Sequence, residues 1–165
     1  MIVAAIGDTH LPRGSRTLPE ECVGRLRGAD AILHTGDHSS LAALEALQAL
    51  GPPVHAVCGN ADEPALRALL PEQLFVELGG ALIGITHDAG PRQGREERLL
   101  RRFPSCGAVL YGHTHEPQVE RWGSAWILNP GSPTERRRSA THAMLELEVA
   151  GATIDPSLIE FAARA

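Results

Sequence analysis

Lysine is missing from this chain: all 15 basic residues among its 165 are arginine. That absence excludes a P-loop lysine for nucleotide phosphates, a kinase-type lysine, and any Schiff base to a carbonyl substrate or cofactor. Cysteine is scarce. Cys22, Cys58 and Cys106 are odd in number and scattered, which argues against a disulfide framework and fits a reducing compartment. No apolar run reaches the roughly 18 residues of a membrane span, and Met1 leads straight into Ile2-Val3-Ala4-Ala5-Ile6 without a basic leader. A cytoplasmic protein without membrane association is therefore expected. An excess of positive charge is lacking as well. At a formal net charge of −5, the chain has no general electrostatic grip on nucleic acid, although metal can still bring phosphate esters to an acidic protein.

What is present is an ordinary globular composition, 43% hydrophobic and 21% charged, with a length that suits a single domain over residues 1–165. The first half alternates short apolar runs, each ending in a Gly-polar cluster, with helix-like segments, the rhythm of βαβ units. Strands are expected at Ile2–Ile6, Ala31–His34 and Val54–Val57, and helices at Leu18–Leu26 and Leu41–Leu50, the latter capped by Ser39 or Ser40 and stopped by Gly51-Pro52-Pro53. From about residue 73 a second sheet begins, with Phe75–Leu78 and Ala81–Thr86 joined by a Gly79-Gly80 hairpin turn. A charged helix over Arg92–Phe103, with Glu97 spaced to pair with Arg101, precedes strands at Ala108–Tyr111, Val119–Trp122, Ala125–Leu128, Ala143–Val149 and Thr153–Phe161. Pro156 places the last of these at a sheet edge, and Trp122 and Trp126 are expected to pack on the sheet.

The chemistry concentrates at the ends of apolar runs. Asp8, Asp37, Asp62 and Asp88, four of only six aspartates, sit in such clusters, and three of the clusters also hold a histidine. Ligands of open α/β sheets bind at the carboxyl ends of strands, so these clusters are expected to converge. Asp8-x-His10 and His113-x-His115 each space two ligands by two residues, which in extended backbone puts both on one side, where a single metal can use them. Taken alone, Asp37 or Asn60 reads as a turn residue and His87 as a core histidine. The ordered set of DxH, GD, GN, H and GHxH is what lifts them.

That set resembles the calcineurin-like metallophosphoesterases, and more narrowly their small bacterial and archaeal phosphodiesterases. The similarity runs from Gly7-Asp8-Thr9-His10 to an Asn129-Pro130-Gly131-Ser132 segment. It implies an α/β fold of two facing mixed β-sheets flanked by helices, a four-layer αββα sandwich. It also implies that Asp8, His10 and His115 hold one metal, that Asn60, His87 and His113 hold a second, and that Asp37 bridges both, with Asp37, Asn60 and His113 serving catalysis. Two divalent ions about 3.5–4 Å apart can hold a bridging hydroxide for in-line attack on phosphorus. Mixed carboxylate, amide and imidazole donors suit transition metals, manganese being favoured and iron, zinc or nickel acceptable.

Departures from the family pattern are local. Ala61 stands where members often carry a histidine that helps protonate the leaving group, while Asp62 keeps the acidic position after it. Asp88 replaces a common glycine. His38 is expected to face solvent, with a supporting or substrate role as the alternative. His34, His55 and His142 read as structural. Arg136-Arg137-Arg138 reads as a solvated loop, or as a phosphate-steering patch. The expected partner is a small phosphoester. Competing readings are a non-catalytic scaffold, since this fold also serves as a subunit of the eukaryotic retromer coat, and a nuclease, which the acidic charge disfavours.

Overall fold

The computed structural model describes residues 1–162. Two five-stranded sheets face each other. The first contains β1 (Ile2–Ile6), β2 (Ala31–His34), β3 (Val54–Ala56), β9 (His142–Ala150) and β10 (Thr153–Phe161) in the order β10-β9-β1-β2-β3. The second contains β4 (Gln73–Leu78), β5 (Ala81–Thr86), β6 (Ala108–Leu110), β7 (Gln118–Trp122) and β8 (Ala125–Asn129) in the order β4-β5-β6-β8-β7. Each has a parallel centre, β1, β2 and β3 in one and β5, β6 and β8 in the other, with antiparallel strands added outside. β10 is an edge strand, as Pro156 requires.

Strand alternation explains the layers. Val3, Ala5, Leu33, Ile83, Ile85, Leu110 and Leu145 point between the sheets and form the central core. Their neighbours Ala4, Ile6, Ile32 and Met144 point outward, onto Cys22 and Leu26 of α1 (Glu20–Gly28) and Leu47 of α2 (Leu41–Gln48). On the far side Val109 and Ile127 meet Leu99 of α4 (Arg95–Arg102). Central strands buried on both faces in this way read as continuous apolar runs. No helix among the described residues is long and apolar enough to cross a membrane.

Ser40 is the residue that caps α2, accepting the Ala43 amide. Several expectations need correction. A short helix, α3 (Pro64–Leu69), lies in a stretch to which the sequence reading assigns no element; Pro64 opens it and Leu66 buries against Leu44 and Ala56. α4 starts at Arg95, and Glu97 and Arg101 form no ion pair; the i,i+4 bridge among the described residues is Glu21–Arg25. Trp122 lies on the edge strand β7 and is 38% exposed, whereas Trp126 is anchored by its ring N–H to the Ile154 carbonyl.

Candidate metal centre

All seven residues of the expected ligand set follow the carboxyl ends of parallel strands. Asp8 and His10 follow β1, Asp37 follows β2, Asn60 follows β3, His87 follows β5, and His113 and His115 follow β6. The two sheets turn these ends toward each other, and the loops bond one another across the gap. The Asp8 amide donates to the Gly36 carbonyl and the His10 amide to the Asp37 carbonyl, while Gly112 donates to His87. Close approach demands glycine at several points, Gly59 and Gly112 among them. A Cβ on Gly59 would lie 2.1 Å from Asp37 Oδ1, and one on Gly112 would lie 2.9 Å from Asp8 Oδ2.

The side chains form two groups: Asp8, His10 and His115 in one, Asp37, His87 and His113 in the other. Within each, ligand atoms lie inside 4.8 Å of one another. Asp37 also reaches toward the first group, its Oδ2 being 3.4 Å from His87 Nε2 and 3.6 Å from His10 Nε2. Asn60 joins the second group, with its Oδ1 3.0 Å from His87 Nε2 and 2.9 Å from His113 Nδ1. The groups are tied together, because the Asp8 carboxylate accepts the His113 backbone N–H at 2.9 Å.

The spacing argument for one metal per pair holds for Asp8 and His10 but not for His113 and His115, which go to different groups, as the family resemblance implies. Neither pair is extended: Asp8, His10, Asp37, His113 and His115 all have positive φ, between 46° and 71°.

The donor set fits divalent cations. His87 Nδ1–H donates to the Thr35 carbonyl at 2.8 Å, which leaves a lone pair on Nε2 facing another acceptor, Asn60 Oδ1. His115 Nδ1–H likewise donates to the Glu135 carbonyl, and its Nε2 faces His10 Nε2 and Asp8 Oδ1, each at 3.3 Å. Acceptors converging on acceptors, with ring orientation fixed by backbone carbonyls, is the arrangement of metal-ligating imidazoles. Protons sense the same field. Burial works to raise Asp37, but contact with His87, the Ala61 amide and nearby His10 hold it down at about 2. Burial works to lower His87, yet Asp37 and Asp8 push it up; burial wins at His10, which is lowered.

Supporting residues explain other parts of the sequence. Asn129 donates to the Gly112 carbonyl, and Ser132 Oγ donates to the Asp8 carbonyl, so the NPGS segment locks two ligand loops. Asp62, 2% exposed, accepts the Ser39 and Gly59 amides at 2.7 Å, which makes it an anchor with no face toward a substrate. Asp88 accepts the Gly90 amide and turns the chain without a positive φ of its own. The solvent-facing expectation for His38 is wrong: it is 1% exposed and stacks on His34. His34, His55 and His142 join neither group. Arg136 and Arg137 donate to the Ala140 and His113 carbonyls, and Arg136, Arg137 and Arg138 are all exposed. Glu135 carries no motif signal, yet its carbonyl orients His115 and its carboxylate pairs with Arg16 at 3.0 Å.

Comparisons agree with this geometry. The family model for the calcineurin-like phosphoesterase superfamily domain matches residues 1–151. A probable metallophosphoesterase of Methanothermobacter thermautotrophicus is 31% identical over 161 residues, 96% of this chain and 92% of the relative. A phosphodiesterase of Methanocaldococcus jannaschii is 24% identical over 147 residues, 79% of this chain and 83% of the relative. Among solved structures, Entamoeba histolytica Vps29 complexed with zinc is similar in fold, with a TM-score of 0.77, 24% identity, and coverage of 98% of this chain and 100% of that one.

Proposed function

Since the chain belongs to the calcineurin-like phosphoesterase superfamily through residues 1–151, we propose that it is a metal-dependent phosphodiesterase working as one domain. Asp8, His10 and His115 hold one divalent ion, Asn60, His87 and His113 hold a second, and Asp37 reaches both. When bound, the ions supply Lewis acidity and a nucleophile from water at neutral pH. The chain's own part is orientation: the Thr35 and Glu135 carbonyls aim the His87 and His115 rings, and the Ala61 amide holds Asp37 Oδ1 at 2.7 Å. Asn60 and His113 are the exposed members, so a phosphoester approaches from their side. Ala61, beside them, offers no proton to a leaving group, which favours diesters with good leaving groups over alkyl monoesters. The M. jannaschii phosphodiesterase supports this choice. Manganese is the favoured ion; zinc on the similar Vps29 supports the wider set of iron, zinc and nickel. A cytoplasmic location goes with the proposal.

The observation that carries the reading is the pair of side-chain clusters, each with ligand atoms close enough together to hold a cation. Elemental analysis of the purified protein, with hydrolysis of bis-p-nitrophenyl phosphate in manganese, tests it. Two ions per chain and turnover abolished in Asp37→Ala are expected. Fewer than two ions, or unchanged hydrolysis in that variant, overturns it. The scaffold alternative draws on the likeness to Vps29 over the length of both chains. It requires bound metal without turnover of any phosphomonoester or phosphodiester. A nuclease would cleave single- or double-stranded DNA at substoichiometric enzyme, and no cleavage is expected.

A further inference from the structure

A pocket of about 370 Å³ opens beside the second ligand group, with Asn60, His87 and His113 in its wall. Small-molecule sites typically measure about 300–1,000 Å³, so it has room for an organic substituent as well as a phosphoryl group. Arg67 of α3 and Arg102 of α4 line the same pocket. Each grips the loop of a ligand. Arg67 Nε donates to the Asp62 carbonyl and its Nη2 to the Asn60 carbonyl, both at 2.9 Å. Arg102 Nη1 donates to the Asp88 carbonyl and its Nη2 to Thr86 Oγ1, both at 2.9 Å.

Both guanidinium groups are therefore fixed, yet neither is neutralised. Their acceptors are three carbonyls and one hydroxyl, all uncharged. The arginines that pair with a carboxylate among the described residues are Arg13, Arg16 and Arg25. Glu72 and Asp88 also border the pocket, but neither pairs with Arg67 or Arg102, and Asp88 Oδ1 is taken by the Gly90 amide. Two immobilised cations beside the exposed ligands Asn60 and His113 stand out in a chain of net charge −5. A guanidinium already held in place loses little freedom when it meets an oxyanion, and its planar fork matches carboxylate and phosphate.

We propose that this pocket selects substrates whose ester arm ends in a second oxyanion, a carboxylate or phosphate, bound by Arg67 and Arg102 while the phosphodiester lies on the exposed ligand group. The proposal rests on the phosphodiesterase reading and adds the class of diester, one with a charged tail in place of a neutral aryl or alkyl arm.

Diphenyl phosphate, bis(4-carboxyphenyl) phosphate and bis(4-phosphonophenyl) phosphate are the probes, symmetrical so that either arm entering the pocket is the same. With manganese and at fixed ionic strength, a charged diester should have a KM about tenfold below that of diphenyl phosphate, the worth of one charge-assisted hydrogen bond, with the effect in KM and not in kcat. The better of the two charged diesters identifies the tail as carboxylate or phosphate. Arg67→Gln and Arg102→Gln should erase the advantage, and lysine at either position should retain part of it. Equal KM for all three diesters, or an equal loss on charged and neutral diesters in the glutamine variants, overturns the proposal, the latter marking these arginines as props of the ligand loops. A second readout needs neither metal nor turnover. In protein freed of metal by chelation, 4-methoxybenzoate should shift the NMR signals of the Arg67 and Arg102 Nε–H groups saturably, and anisole should not. If no diester is hydrolysed, the phosphodiesterase reading falls and this titration alone decides the pocket: saturable shifts at both arginines support it, and their absence overturns it.

Discussion

The two ligand groups are built from the same residue types but sit differently in the fold. Asp8, His10 and His115 are all buried, 6% exposed or less. The second group has Asp37 and His87 buried, but His113 and Asn60 open to solvent. The difference follows from position. The first group lies under the Ser132–Glu135 segment, which bonds the Asp8 carbonyl and the His115 ring, whereas among the described residues the His113 side chain is left exposed. Under the proposed function, the closed group is the one to retain an ion and the open one leaves room for the substrate.

Four outcomes sharpen or break this contrast, taken from the largest effect downward. Asp37 serves both groups, so Asp37→Ala should lower diester turnover about 10³-fold or more, beyond the about 10–100-fold typical of a lost supporting contact; manganese titration of the rate checks it. A loss below tenfold would mean that the two groups work independently. Next, His115→Ala and His113→Ala should diverge. The buried vacancy should cost the first ion outright, whereas water can replace the exposed His113, so millimolar manganese should restore that variant to within about tenfold of wild type. Equal rescue of both would remove the distinction between closed and open groups.

A gain is expected at the open group. Ala61→His places an imidazole beside Asn60 and should raise alkyl monoester hydrolysis about tenfold, the low side of what general acids contribute. No gain, with diester turnover intact, would show that another acid already acts there.

The smallest effect concerns protons in the metal-free protein. His10 is pushed below its ordinary 6.5, so its contribution to stability is complete above about pH 6.5 and falls as pH drops beneath that value. His87 is pushed above 6.5, so its contribution is complete below about pH 6.5 and is lost as pH rises through the folded value. Asp37, held at about 2, adds stability above its ordinary 3.8 that is lost as pH falls toward 2. Opposite signs in the two groups predict a stability maximum close to pH 6.5 under chelation, measurable by denaturant unfolding. A curve that rises steadily from pH 6 to 8 would contradict the raised His87.

Much of this was legible in the sequence, for identifiable reasons. Strands buried on both faces announce themselves as runs such as Ile2–Ile6, and the polar cluster after each run marks its carboxyl end, so the convergence of Asp8, Asp37 and His87 could be anticipated. What stayed hidden lacks a side-chain signature. The Thr35 and Glu135 carbonyls that aim two imidazoles are backbone atoms, which any residue supplies. Spacing fixes how far apart two ligands are along the chain but not the turn between them, and so the separation of His113 from His115 was legible only from the family resemblance and not from the HxH spacing. α3 is only six residues long and its buried side chain is Leu66 alone, too little periodicity to announce a helix. His38 looked exposed because a histidine in a Gly-Asp-His-Ser-Ser loop gives no hint of its stack on His34.

The left-handed turns under Asp8, His10, Asp37, His113 and His115 change how inactive variants of this protein should be designed. Each such residue carries about 1–3 kcal/mol of backbone strain that glycine would not feel. An alanine substitution removes the ligand but keeps the strain, and so it confounds loss of metal with a site that is still conformationally taut. Glycine at the same position removes the ligand and relaxes the chain together. The difference in folding free energy between the two replacements, measured without metal, isolates what the backbone alone contributes to holding the centre ready. Glycine would meet these five backbone conformations without strain, so aspartate and histidine there are a measure of the tension built into the centre.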